Sequence, residues 1–191
     1  MSSLRLLGLS HVGFAVRSID EFRASWGAVL GITDWLVRDL PQPAGALQLR
    51  GEVQGPAFSR AAFARLADTA IELVEPHTGH TRTSAWLAER GPGIHHLAFW
   101  VDNLDEALAG LGEQVEVSYS PIDVHPGQSP RQAVFTTGSL DEGLLPRGFW
   151  AYTEATGAPV PWCLELLDIR SIDTVRAAFG EHLCYPPGAG S

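Results

Sequence analysis

Residues 11–21 read HVGFAVRSIDE and residues 96–106 read HLAFWVDNLDE, one pattern written twice at an offset of 85 residues. His11/His96, Phe14/Phe99, Val16/Val101, Asp20/Asp105 and Glu21/Glu106 are identical, and most other positions agree in size or polarity. An internal repeat of this kind decides the architecture before any single element is read. Each copy opens as a strand: Val12, Phe14 and Val16 alternate with His11, Gly13 and Ala15, as do Leu97, Phe99 and Val101 with His96, Ala98 and Trp100. A helix start follows each strand. Ser18 and Asn103 are the predicted caps, with Asp and Glu in the first turn. The first helix is expected to bury Phe22, Trp26, Val29 and Leu30 and to stop near Gly31. The second is expected to bury Leu104, Ala107, Leu108 and Leu111 and to stop near Gly112.

The repeat continues further along the chain. Residues 70–75, AIELVE, match residues 163–168, CLELLD, at an offset of 93, so the second copy carries about eight more residues. These fall in the Gly- and Pro-rich stretch 138–160, read as a long loop, and 39–58 reads as another. Two more strands fit into each copy, at 34–38 and 60–66 in the first and at 115–118 and 132–137 in the second. Ala67-Asp68-Thr69 suits a hairpin turn. Each unit therefore reads β-α-β-β-β. The expected fold is α+β, with two tandem modules, residues 1–90 and 91–191, forming one curved mixed sheet. A C-terminal helix over 171–183, capped by Ser171, and a frayed tail follow.

Alternation assigns directions. His11, His96, Glu72 and Glu165 all point away from the apolar face that meets the helices, beside small neighbours such as Gly13, Ala15 and Ala98. One histidine at a strand start, or one glutamate in an apolar strand, is ordinarily structural or solvated. The recurrence of both residue types at equivalent places in both copies changes that weighting. A two-fold repeat brings two imidazoles and two carboxylates to one centre, a set suited to one divalent ion such as Zn, Ni, Co, Mn or Fe.

The repeat, with HVGFAV and GIHHLAFWVDNLDEA opening the copies and IELVEP and LELLDI closing them, resembles the vicinal-oxygen-chelate superfamily (glyoxalase, bleomycin-resistance and dioxygenase proteins) over most of residues 7–170. Within it the stretch from Ile71 to Leu108 is most similar to methylmalonyl-CoA epimerases. The resemblance implies that His11, Glu72, His96 and Glu165 are metal ligands and that His95, the neighbouring histidine, is not; alternation turns His95 away from His96. It implies an epimerase or isomerase in which a cation stabilises an enolate formed by proton abstraction next to a carbonyl, with Glu72 and Glu165 as the bases. Acyl-CoA, keto-sugar and cyclitol substrates are the expected classes. The chain departs from the epimerases in having no carboxylate on the third strand of the first module, Arg60–Leu66; Gln48 and Glu52 lie upstream of it. Alternative activities are a glyoxalase-type lyase, an Fe(II) ring-cleaving dioxygenase using two histidines and one glutamate, and, outside enzymes, a drug-binding resistance protein.

Composition narrows the partners. The formal charge of −9, with no basic block, argues against nucleic acid. No apolar run reaches the ~20 residues of a membrane span, and the N-terminus lacks a secretory pattern, so a cytoplasmic location and a small-molecule substrate are expected. Assembly as a homodimer stays open. The absence of lysine excludes lysine Schiff-base chemistry and a Walker-type phosphate loop. Cys163 and Cys184 are expected to be unbridged, with Cys163 in the core. His77 and His80 read as a solvated loop pair, His125 as a loop residue and His182 as a surface residue. Trp100 reads equally as cavity wall or core. Arg131 and Arg147 are candidates to pair with a substrate anion, with surface roles favoured for each, and Phe149 with Trp150 reads as a candidate lid.

Overall fold

The structure, a computed structural model, describes residues 4–122, 149–157 and 162–188. In chain order its strands are β1 (Leu6–Ala15), β2 (Leu36–Gln42), β3 (Leu47–Leu49), β4 (Glu52–Val53), β5 (Ala57–Leu66), β6 (Thr69–Thr78), β7 (Gly93–Val101), β8 (Val115–Pro121), β9 (Trp150–Ala155) and β10 (Cys163–Asp168). The α-helices are α1 (Ile19–Phe22), α2 (Arg82–Arg90), α3 (Leu104–Leu111) and α4 (Ile172–Phe179). All ten strands join one mixed sheet in the order β2-β5-β6-β1-β7-β10-β9-β8-β3-β4.

The repeat is visible in the pairing. β1 runs antiparallel to β7 at the centre, flanked by β6 parallel to β1 and by β10 parallel to β7. The four strands that carry His11, Glu72, His96 and Glu165 are therefore adjacent, with the histidines on the inner pair and the glutamates outside. On the outer face, Phe14, Val16, Ile71 and Leu73 pack with Ile19 and Phe22 of the first helix. Val101, Ala151 and Leu166 pack with Leu104 and Leu108 of α3. Ser18 and Asn103 cap as expected, accepting from Glu21 N–H and from Asp105 and Glu106 N–H respectively.

Several expectations are corrected. The first helix passes from α geometry at Phe22 into a π-helical turn over Arg23–Gly27. The wider turn breaks the 3.6-residue spacing, and the stripe expected to be buried turns outward: Trp26 is 61% and Val29 75% exposed. The stretch 39–58 is not a plain loop. β3 and β4 form a small hairpin within it, and β3 pairs with β8 of the other half. The stretch 138–160 likewise holds β9, which pairs with both β8 and β10. The strand expected at 132–137 lies outside the described residues, as do His125, Arg131 and Arg147. Helix α2 was not anticipated, although Thr81 and Ser84 form a reciprocal capping box at its start. Ser171 does not cap α4 with its side chain; its hydroxyl donates to the Asp168 carbonyl at 2.6 Å. Asp168 also accepts from Leu104 N–H in the first turn of α3 at 3.0 Å, beside the Asn103 cap.

Helix α4 packs on the inner face, the opposite side from α1 and α3. Val175, Ala178 and Phe179 join Ala61, Phe63, Ala98, Trp100 and Leu167 in one cluster. Trp100 is fully buried, and its indole N–H donates to the Cys184 carbonyl at 2.8 Å. It thus holds the C-terminal segment in place. Among the described residues no helix is long and apolar enough to cross a membrane.

Candidate metal centre

Each of the four side chains reaches the centre because its strand neighbours leave room for it. His96 pairs across the sheet with Gly13, and a methyl group built at Gly13 would lie inside the His96 imidazole. Glycine is required there for close approach, not for an unusual backbone angle. His11 lies opposite Ala98, the repeat counterpart of Gly13, where a methyl group is accommodated.

The donor atoms converge. His11 Nε2 lies 3.1 Å from His96 Nε2. Glu72 Oε2 is 3.3 Å from His11 Nε2 and 3.0 Å from His96 Nε2; Glu165 Oε2 is 3.2 and 3.3 Å from the same two atoms. All four donors lie within 4.8 Å of one another, and all four residues are buried. With metal–ligand bonds of about 2.1 Å, adjacent donors should stand about 3.0 Å apart in octahedral and about 3.4 Å apart in tetrahedral geometry. The five separations that involve a histidine, 3.0 to 3.3 Å, fall within that interval. Glu165 Oε2 is buried, and its nearest polar neighbours are the two imidazole Nε2 atoms at 3.2 and 3.3 Å. A carboxylate oxygen in that position is costly unless a cation meets it. The donors therefore fit a single divalent ion, and borderline metals suit a two-imidazole, two-carboxylate set.

Both histidines are oriented from behind by the same device. Between β1 and β7 the register slips at Leu9/His11 and again at Gly13/Phe14. The extra residues are Ser10 on β1 and His95 on β7, which are repeat counterparts 85 positions apart. A bulge breaks strict alternation and re-aims side chains. Alternation alone turned His95 away from His96. The bulge instead brings His95 Nδ1 to 2.9 Å from His96 Nδ1, just as Ser10 Oγ stands 3.2 Å from His11 Nδ1. For the Nε2 lone pairs to face a cation, the Nδ1 atoms must carry the protons, and Ser10 and His95 supply the acceptors. His95 is fully buried against Trp86 of α2, ring centroids 5.2 Å apart. Burial first, then charge on His96 and on Arg82, holds it well below the usual imidazole range, so it remains neutral.

Without a cation the centre is an ion-pair cluster. Burial disfavours a charged His11, but its hydrogen bonds to Glu165 and Glu72 outweigh this and raise it to about 9. Burial also works against an ionised Glu72, yet the two imidazoles hold it far below the ordinary carboxylate range. A proton on His11 competes with the metal. Divalent-ion affinity should therefore rise about tenfold per pH unit from near pH 6.5 to about 9 and level off above it. Binding isotherms for Co2+ across that range test this, and a flat profile would contradict it. The same shift fixes the sign for the metal-free fold: stability from the His11 ion pairs is fully present below its unfolded value near 6.5 and lost as pH rises through about 9.

Tyr152 on β9 is a neighbour that the sequence reading placed in a loop. Its ring lies 4.8 Å from that of His96, and burial, followed by the charges of Glu165 and Glu72, keeps its phenol protonated. The alternation Trp150, Tyr152, Glu154 within WAYTEA was the available signal for a strand. The third-strand position of the first module has no carboxylate: β5 presents Ser59 and Phe63 to the cavity, Gln48 hydrogen-bonds Ser120 and the Pro121 carbonyl, and Glu52 is exposed. His77 pairs with Glu75 at 3.0 Å and His80 is exposed, so both stay away from the centre. His182, half-buried, pairs with Asp34 at 3.2 Å. Cys163 and Cys184 are buried and free.

Comparison with known proteins agrees with this architecture. Residues 10–135 match the family model described as the Glyoxalase/Bleomycin resistance protein/Dioxygenase superfamily. The chain is 30% identical over 150 residues to the uncharacterized protein YqjC of Bacillus subtilis, covering 73% of this chain and 93% of that protein. Among solved structures it resembles a hypothetical protein from Bacillus halodurans C-125 (TM-score 0.52, 21% identity, 84% of this chain and 93% of that one). It also resembles methylmalonyl-CoA epimerase from Mycobacterium tuberculosis (TM-score 0.51, 19% identity, 88% and 91%). At these identities the structural likeness speaks for the fold. From the repeated motif, the curled mixed sheet and the family match together, the chain belongs to the glyoxalase/bleomycin resistance protein/dioxygenase superfamily.

Proposed function

We propose that this chain is a metal-dependent epimerase or isomerase that moves a proton at a carbon next to a carbonyl, with His11, Glu72, His96 and Glu165 as ligands of one Co, Zn, Ni, Mn or Fe ion. The observation that carries the reading is the convergence of two buried imidazoles and two buried carboxylates at 3.0 to 3.3 Å. When bound, such an ion supplies positive charge that polarises a carbonyl and acidifies the neighbouring C–H.

The protein supplies the proton transfers. Glu72 and Glu165 come from strands on opposite sides of the β1–β7 pair. Each module thus supplies one carboxylate, and a pair of carboxylates is what removal and return of a proton require. Glu165 is assigned as the base that removes the proton. Glu72, taking a proton in its turn, returns one to the other face. Tyr152, neutral and stacked on His96, keeps water from that side of the centre. Two domain-like modules, 1–90 and 91–191, acting as one unit, account for the symmetric supply of one histidine and one glutamate each.

The test is solvent-deuterium incorporation at the α-carbon of keto compounds and activated esters, followed by NMR with metal-loaded protein. Exchange that requires the metal supports the reading. Oxygen consumption with catechols, without exchange, would favour the ring-cleaving alternative, in which Glu72 would be superfluous. Neither activity, with a ligand bound without turnover, would favour a binding protein.

A further inference from the structure

The last strand of the sheet, β10, ends at Asp168, and the described residues that follow fold back over the metal side. Val175 and Phe179 of α4, with Leu183, line the same cavity as His11, Glu72 and Glu165. That cavity measures about 90 Å³, against roughly 300 to 1,000 Å³ for sites that enclose drug-sized ligands. The four donor residues are each 8% exposed or less. A substrate of more than a few atoms fits beside them only if part of this wall moves.

The segment is tied together internally. Tyr185 O–H donates to the Gly180 carbonyl at 2.9 Å, His182 Nδ1 stands 3.2 Å from the Phe179 carbonyl oxygen, and the Arg176 guanidinium lies 4.6 Å from the centre of the Tyr185 ring. Its near end is anchored to the sheet. Ser171 O–H donates to the Asp168 carbonyl at 2.6 Å, and the Asp168 carboxylate accepts from Leu104 N–H at 3.0 Å. The free length therefore begins at α4.

Beyond that point separate contacts hold it down. Cys184 N–H donates to the carbonyl of the bulge residue Ser10 at 3.1 Å, and the Trp100 indole N–H donates to the Cys184 carbonyl at 2.8 Å. Arg65 donates to the Leu183 carbonyl at 3.0 Å and Arg38 to that of Ala178 at 3.4 Å, while Asp34 stands 3.2 Å from His182 Nε2. Arg38, Arg65 and Asp34 are exposed, so water replaces these bonds at little net cost. The face that meets the metal cavity, Val175, Phe179 and Leu183, is apolar and is held by burial, which has no directional requirement. It can leave and reseat without breaking a bond to any of the four donors.

We infer that residues 172–188 are a gate: the segment swings off the metal face as a unit, pivoting at Ser171, to admit metal and substrate, and reseats over them. The inference rests on the metal centre proposed above and adds the step that controls access to it. Local openings of this kind occur without global unfolding and set the rate of entry to a closed site.

The experiment uses the full chain. Co2+ uptake by metal-free protein and Co2+ release to excess chelator are timed by stopped flow on the visible bands of the bound ion. In the double variant Arg38→Ala, Arg65→Ala both rates are expected to rise about fivefold or more and by similar factors, so that affinity stays within threefold of the parent. Asp34→Ala, a single exposed change, should raise both rates by a smaller, matched factor. A damaged metal site behaves differently: release quickens, uptake does not, and affinity falls. Native-state hydrogen exchange needs no metal. The amides of α4 should exchange about tenfold or more faster than those of β1, β6 and β7, and the double variant should speed α4 alone. Unchanged rates, faster release without faster uptake, or α4 amides protected as strongly as the central strands overturns the gate. Absence of protein-bound Co2+ bands overturns the metal reading, and the exchange pattern then decides the gate by itself.

Discussion

Gly13→Ala is expected to weaken divalent-ion binding at least a hundredfold while leaving a folded chain. The added methyl would occupy the volume of the His96 ring. That ring has nowhere to go: His96 is fully buried, with Tyr152 at 4.8 Å and His95 at 5.2 Å between ring centroids. Either the imidazole leaves its donor position or β1 and β7 separate locally, and both move Nε2 away from the other three donors. Overpacking of this kind costs about 1–3 kcal/mol of stability, which a marginally stable fold can bear. The substitution only writes the second copy's residue, Ala98, into the first, so composition and polarity are untouched. Isothermal titration with Co2+ beside a thermal melt checks the result. An affinity within threefold of the parent would show that His96 is not held where the structure places it.

Glu165→Gln should slow metal-dependent exchange by about a thousandfold at saturating metal, within the range for loss of a positioned base. The amide preserves size and can still offer an oxygen to the ion, so metal affinity should fall by a smaller factor, about ten- to a hundredfold. The gap between the two factors is the informative quantity. If exchange at saturating metal fell no further than affinity did, Glu165 would be a ligand without a role in proton transfer. Single-turnover deuterium exchange at several metal concentrations separates the two.

The parts of the fold that repeat were legible in the sequence, because a repeat is its own control. Ligand-capable residues at matched positions identify one another, and the inner strands and α3 follow from alternation and helical spacing. What escaped has local physical causes. The bulges at Ser10 and His95 break the period of two at the residues behind His11 and His96, so His95 was assigned to the wrong side. The π-helical turn at Arg23–Gly27 broke the period of 3.6 and exposed Trp26 and Val29. The hairpin of β3 and β4 is held by pairing with β8, some 70 residues away, a cause invisible to a local window. β9 was masked by the Gly- and Pro-rich residues around it. The closure of the metal face by α4 depends on where a predicted amphipathic helix docks, which its periodicity does not specify.

The central claim is a single metal centre built from both copies of the repeat. Protein stripped with a chelator and titrated with Co2+ should bind one ion per chain, and His96→Ala should weaken that binding by at least a thousandfold while far-ultraviolet circular dichroism stays unchanged. Binding of no ion, or binding of one ion that His96→Ala leaves intact, would contradict it.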